Sequence, residues 1–262
     1  MDLRLKGKIA VVFAASKGLG KAAALALAEE GCKVAICSRN KDMIEQAARE
    51  ISAKTKTEVF AKVVDVEFKD QIENFIKTVA DKYGTIDILV TNAGGPPVAN
   101  FEQSKDEEWQ KWYNITFMSV VRSVRAALPY LKHGDFGRII NITSSSVKSS
   151  IDNLIYSNSL RLAVVGLAKS LSRELGQYGI TVHNVAPGYH LTDGLERIIK
   201  AKVEAGMSRE QVLKVWTDNV PVGRIGRPED LAALVTFLAS GKTGYMSGTT
   251  IQVDGGTFIG TM

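Results

Sequence analysis

Short β-branched runs separated by longer amphipathic segments recur from one end of this chain to the other, and they constrain its fold more than any other feature. Short apolar runs of this kind suit parallel strands buried on both faces, and parallel strands need crossover helices between them. The runs fall at Lys8 to Phe13, Lys33 to Cys37, Glu58 to Val64, Ile86 to Thr91, Arg138 to Thr143, Thr181 to Val185 and Thr250 to Val253. Helical spacing fills the gaps, notably over Leu19 to Glu30, Asp70 to Tyr83, Glu107 to Leu131, Ser157 to Tyr178 and Pro228 to Leu238. Gly31 supplies a left-handed stop between the first helix and the second strand. The pattern predicts an α/β fold, a parallel sheet with helices on both faces, as one domain over 1–262. Its least regular stretch, Thr192 to Val220, reads as a helical substrate lid inserted into that domain, because loops beyond the carboxyl ends of such strands form the ligand crevice. Within it Leu195, Ile198, Ile199 and Trp216 stand beside Glu196, Arg197 and Lys200. An apolar pocket wall and an amphipathic surface helix look alike at that composition, so the specific substrate stays open.

With 262 residues, 45% of them hydrophobic, the chain can bury a large core. No apolar run approaches the roughly 18 residues of a membrane span, and the N-terminus lacks the apolar stretch of a signal peptide, so a cytoplasmic protein without a membrane partner is expected. The net charge of +5 comes from Lys and Arg dispersed among acids rather than gathered in a tract, which points to a solvated surface and away from nucleic acid. Cys32 and Cys37 lie five apart with neither a CxxC nor a His/Cys cluster; a structural role is expected, and no metal.

Chemistry enters at the turn after the first strand, Ala14-Ala15-Ser16-Lys17-Gly18-Leu19-Gly20, which runs straight into a helix. Glycines there let backbone N–H groups approach a pyrophosphate at the positive helix end. A plain strand-to-helix turn could share that pattern, and the later motifs decide between them. Asp65-Val66 and Asn92-Ala93-Gly94 close strands, Asn114 lies in the following helix, and Gly137 to Ser144 closes the next strand. Ile180 to Gly188 ends another, with Pro187-Gly188 at its tip, and Gly226-Arg227-Pro228-Glu229-Asp230 precedes Val253-Asp254-Gly255-Gly256. In this order the motifs resemble the short-chain dehydrogenase/reductase family over essentially the whole length, most closely its 3-oxoacyl-(acyl carrier protein) reductase and glucose dehydrogenase-like members. The resemblance implies a doubly wound (Rossmann) domain that binds a nicotinamide dinucleotide, acts on a small carbonyl or secondary alcohol, and assembles as a homotetramer.

It also implies roles. Ala14, Ser16, Lys17, Gly18, Leu19 and Gly20 would form the phosphate turn, Asp65 and Val66 the adenine site, and Asn92, Ala93 and Gly94 would also bind the cofactor. Pro187, Gly188 and Thr192 would lie beside the nicotinamide, with Thr192 on its carboxamide. Phe13 and Ala14 replace the family's Thr and first Gly; if that turn demands a positive φ, alanine costs roughly 1 to 2 kcal/mol, so a slightly reshaped turn is expected. The second strand ends in Ser38-Arg39-Asn40, without the acid that would accept from a ribose 2′-OH. Arg39 and Lys17 offer cations for a 2′-phosphate, so NADP(H) is preferred over NAD(H).

The catalytic segment departs from the family, which places a tyrosine thirteen residues after its serine and a lysine four further on. Counting from Ser144, Tyr156 is twelve residues away and would put Leu160 at the lysine position. The alternative register puts Ser157 at thirteen and Arg161 in the lysine place, and it also preserves eight residues from there to Lys169. The second register is preferred. Serine is a far weaker acid than tyrosine, and Arg161 stays protonated, so Ser157 by itself is not an equivalent proton donor. Asn114 and Ser144 remain to orient a carbonyl and a water chain, while Tyr156, Tyr189 and His190 are conceivable alternative donors. Two readings follow: an NADP(H)-dependent oxidoreductase with a relocated proton donor, or a cofactor-binding homologue with little redox activity that serves as a sensor or partner subunit.

Overall fold

The computed structural model of the chain describes residues 1–134 and 136–261, and of residues 197, 198 and 201 the backbone alone. Its centre is a seven-stranded, wholly parallel sheet in the order β3-β2-β1-β4-β5-β6-β7. The strands are β1 (Ile9–Val12), β2 (Lys33–Ser38), β3 (Val59–Val63), β4 (Ile88–Thr91), β5 (Gly137–Ile142), β6 (Ile180–Pro187) and β7 (Thr249–Val253). The expected doubly wound sheet is present, with its order reversing between β1 and β4.

Each central strand is buried on both faces, and alternate residues feed two cores. On one face, Val11, Leu89, Ile139 and Val182 meet α3 (Lys69–Tyr83), α5 (Ser119–Leu131) and α6 (Ile155–Leu175) through Phe75, Val124 and Val164. On the other, Ala10, Val12, Val90 and Ile140 meet α1 (Gly18–Glu29), α2 (Lys41–Thr55) and α9 (Pro228–Ala239) through Leu27, Ile44 and Leu231. Cys32 and Cys37 are buried free thiols in these cores, and burial pushes Cys32 up to about 12.

Two departures from the expected elements matter for the site. The segment read as one helix over Glu107 to Leu131 is α4 (Asp106–Trp112) and α5 joined by a wide turn at 113–118, where the Ser119 N–H reaches back five residues to the Asn114 carbonyl. No Gly or Pro marks 113–118, so the sequence reads straight through it as helix. The helix read from Ser157 begins two residues earlier, making Ser157 the third residue of α6. The insertion at 192–220 folds into α7 (Asp193–Glu204) and α8 (Arg209–Thr217), joined by a bidentate Arg209–Glu196 pair at 2.7 Å. Ile199 and Val212 are buried there, while Trp216 stacks on Tyr189 at 5.8 Å; the side chains of Arg197 and Ile198 lie outside the described residues.

Candidate active site

A cleft of about 570 Å³ opens at the carboxyl ends of β1 to β5, at the point where the strand order reverses. Ala14, Ser16, Lys17, Gly18 and Leu19 line one side, followed by Ser38, Arg39 and Asn40, then Asp65 and Val66, then Asn92, Ala93 and Gly94. Ile142, Thr143 and Arg161 close the far end, and Thr192 to Gly194 overhang it. Most of the residues expected to bind the cofactor therefore line a single cleft. Gly95, Met43, Trp112 and Ile115 also line it; no motif singles them out.

The glycine turn keeps a demanding geometry. Ala14 holds φ 49°, so the expected reshaping does not occur: the chain retains the left-handed residue and places alanine on it. The reason is visible in what the turn must do. Phe13 and Ala15 donate backbone bonds to the Val90 and Cys37 carbonyls, and the Asn92 side chain donates to the Ala14 carbonyl at 3.3 Å. These bonds fix the path from β1 into α1. Gly20 lies behind the turn rather than in the cleft: a Cβ there would stand 2.5 Å from the Ala14 carbonyl oxygen. Pro187 and Gly188 are likewise outside the cleft lining; a Cβ on Gly188 would meet the Asp254 backbone at 2.8 Å, so that glycine serves a close approach of two loops.

The cation arrangement bears on cofactor choice. Arg39 is exposed at the cleft, and no acid stands at the end of β2. The Asn40 side chain caps α2 by accepting from the Met43 N–H, and Asp65 accepts from the Glu67 N–H. Lys17 lies 3.4 Å from Asp193 at the start of α7, an exposed pair of little energetic weight.

Helix α6 sorts its residues by face. Tyr156 and Leu160 point into a small apolar cluster with Ala99, Trp109 and Ile155, where the Tyr156 ring meets Trp109 edge-on at 4.8 Å. The Tyr156 hydroxyl accepts from the Lys105 N–H at 3.2 Å, and the side chain is 1% exposed. The structure thus gives Tyr156 a packing environment. Ser157 and Arg161 occupy a different face, one turn apart. The Arg161 guanidinium donates to the Ile142 and Thr143 carbonyls at 3.3 and 3.1 Å. Burial alone lowers it to about 10, which leaves it charged at neutral pH, and among the described residues no carboxylate pairs with it.

Ser157 shares a hydrogen bond with Ser146 across 3.2 Å, both hydroxyls buried, and Ser144 accepts from the Ser146 N–H at 3.1 Å. Sequence reasoning missed Ser146; the only signal was its place in the run Ser144-Ser145-Ser146. It also missed Arg122, which donates to the Asn114 side-chain oxygen at 3.2 Å and the Glu67 carbonyl at 2.8 Å, tying the wide turn to the loop after β3. His190 and Tyr189 line a separate cavity of about 150 Å³. The His190 Nδ1 faces the Gly188 carbonyl at 3.1 Å, and burial holds its pKa down. Among the described residues no cluster of three or more metal-ligating side chains occurs, and no helix is long and apolar enough to cross a membrane.

Comparisons with known proteins agree with this geometry. The family described as enoyl-(acyl carrier protein) reductase matches residues 13–257. The 3-oxoacyl-[acyl-carrier-protein] reductase of Haemophilus influenzae is 36% identical over 257 residues, 97% of this chain and all of its own. L-sorbose reductase from Gluconobacter frateurii, solved with NADPH and L-sorbose, superposes with a TM-score of 0.94 at 29% identity, over 99% of this chain and 100% of its own. An NADPH-bound short-chain oxidoreductase of Pseudomonas aeruginosa described as containing an atypical catalytic center does so at 0.89 and 28% identity, over 97% of this chain and 98% of its own. With the sheet order, the cleft and these matches together, the chain belongs to the short-chain dehydrogenase/reductase family of oxidoreductases.

Proposed function

We propose that this protein is an NADP(H)-dependent oxidoreductase that interconverts a small carbonyl compound and a secondary alcohol, with a proton donor other than tyrosine. One observation carries the reading: a single cleft joins the glycine turn and Arg39 to the buried Arg161, which among the described residues has no carboxylate partner. The residues fit the dinucleotide, because Gly18 and the N-terminus of α1 offer backbone N–H groups to a pyrophosphate and Arg39 with Lys17 offers charge to a 2′-phosphate. NADPH in two structural relatives supports that choice. When bound, the nicotinamide supplies hydride. In this reading Arg161 holds the nicotinamide ribose and the potential at the reacting oxygen, Ser144 orients the carbonyl, and Asn114 supports a water chain. Thr192 and α7 with α8 act as the lid. Tyr156 we assign to packing, and Tyr189 and His190 to the lid's support.

The second reading, a cofactor-binding homologue with little redox activity, is favoured by the burial of the only tyrosine near the catalytic register. Fluorescence titration with NADPH followed by a carbonyl panel at saturating cofactor separates the two. Tight binding with cofactor oxidation supports the enzyme; tight binding with none on any carbonyl supports the binding protein. We also propose a single domain, a cytoplasmic location and a homotetramer. Exposed Tyr113 and Leu162, on the wide turn and α6, supply apolar surface for assembly, and light scattering measures it.

A further inference from the structure

A cation taken out of water is costly unless an anion meets it. Arg161 is 8% exposed, lines the far end of the cleft, and pairs with no carboxylate among the described residues. The acids among the described residues lining that cleft are Asp65 and Asp193. Asp65 follows β3, four strands from β5 and about 19 Å away at ordinary strand spacing, and Asp193 faces Lys17. Both hydrogen bonds that Arg161 makes, to the Ile142 and Thr143 carbonyls, leave from Nη1. Nε and Nη2 have no partner among the described residues, and neither is sealed from solvent. Those two nitrogens form the side-on fork of a guanidinium, the edge that grips both oxygens of a carboxylate. The dinucleotide does not supply the missing charge. Its pyrophosphate is matched at the glycine turn and its 2′-phosphate by Arg39 and Lys17, while the nicotinamide end carries a neutral ribose and carboxamide.

From this arrangement we infer that Arg161 also binds the substrate, and that the substrate carries a carboxylate close to its reacting carbon, as an oxo acid or the matching hydroxy acid does. The inference rests on the oxidoreductase reading above and names its substrate class. A guanidinium has five N–H groups. Two serve the β5 carbonyls, two grip the carboxylate, and one remains for the nicotinamide ribose. A lysine in this place would bring the same charge as a single point, without the fork. The other cations among the described residues lining the cleft, Lys17 and Arg39, stand at the glycine turn and the end of β2. One cation at the far end balances a singly charged carboxylate rather than a doubly charged phosphate. The desolvation that lowers the Arg161 pKa also strengthens its attraction for an anion. An anchored carboxylate fixes the neighbouring carbonyl in place, which is how binding energy becomes orientation.

Pyruvate and acetoacetate, each against its methyl ester, test this with the full-length protein and NADPH. In wild type, kcat/KM for an acid should exceed that for its ester on the order of 10- to 100-fold, the reach of a bidentate charge-assisted bond. Arg161→Gln should bring acid and ester to the same kcat/KM, chiefly by raising KM for the acid. Arg161→Lys, which keeps the charge and loses the fork, should retain part of the difference. Calorimetry reads the site without turnover and without a variant. Oxamate, an unreactive analogue of pyruvate, should bind the wild-type NADPH complex and compete with the acid, whereas its neutral methyl ester should not. A wild type that reduces esters or neutral carbonyls as well as the acids, an acid preference that survives Arg161→Gln, or oxamate that fails to bind overturns the carboxylate site while leaving the oxidoreductase reading in place. Bound NADPH that no compound of the panel oxidises overturns that reading, and the substrate class with it.

Discussion

Ala14 is a residue under local strain. At φ 49° its Cβ crowds the following carbonyl, at a cost of roughly 1 to 2 kcal/mol, whereas glycine is free of that penalty but gains backbone freedom in the unfolded chain. The first effect is larger, so Ala14→Gly should raise stability by about 0.5 to 1 kcal/mol, read from a urea melt, with NADPH affinity retained. A loss of stability would show that the Ala14 methyl contributes packing that outweighs the strain. Arg39 tests cofactor choice at the same scale. A charge-assisted bond to the 2′-phosphate is worth about 1.5 to 3 kcal/mol, so Arg39→Ala should weaken NADPH on the order of 10- to 100-fold and leave NADH almost unchanged. Equal weakening of both cofactors would place Arg39 on the shared part of the dinucleotide. Ser157 and Arg161 were legible at this scale from the count to Ser144 and Lys169; Ser146 was not, because its bond to Ser157 spans eleven residues and two elements.

Among the elements, β4 to β7 are tied by more than backbone bonds. Thr91 donates to Asn141, Asn141 to Asn184, and Asn184 to Thr250, each pair directly opposed in register, so one polar side-chain ladder crosses four strands, from buried β4 to half-buried β7. Removing its middle strands two polar groups and opens a small void. Asn184→Ala should cost about 3 kcal/mol, visible as a lower urea midpoint with an unchanged slope. A change under about 0.5 kcal/mol would mean that the ladder is replaceable by water. The same scale shows why the helix over Glu107 to Leu131 was read as continuous. The wide turn at 113–118 carries no Gly or Pro to mark it in the sequence, yet it holds Asn114 where Arg122 binds it.

For the whole molecule, His183 links folding to pH. It lies buried in β6 beside Thr249, and burial lowers its pKa to about 4 against an ordinary value near 6.5. Between those values the unfolded chain binds the proton and the folded one does not, so stability is full above pH 6.5 and declines as pH falls toward 4. The melting temperature should drop by several degrees across that window, and His183→Gln should flatten the drop. An identical slope in that variant would assign acid sensitivity to other groups. Cofactor binding acts on the same global equilibrium: NADPH at a hundred times its Kd should add about 2.7 kcal/mol of stability, and NADH at the same concentration less. Equal shifts would remove the NADP(H) preference.

Hydrophobic patterning alone determined the parallel sheet and its helices and marked the break at 192–220, because burial on both faces of a strand leaves a short continuous apolar run and burial of one helix face recurs every third or fourth residue. Motif spacing determined which strand ends meet in the cleft, since each lies just past a carboxyl terminus. Only the tertiary structure decided that Ala14 keeps a left-handed backbone, that Tyr156 faces Trp109, and that Ser157 faces Ser146 with the Arg161 guanidinium on the Ile142 and Thr143 carbonyls and, among the described residues, on no carboxylate. The last two outcomes depend on which face of α6 docks against β6 and on where its first turn begins. Contacts between elements distant in sequence fix both, and no local pattern encodes them.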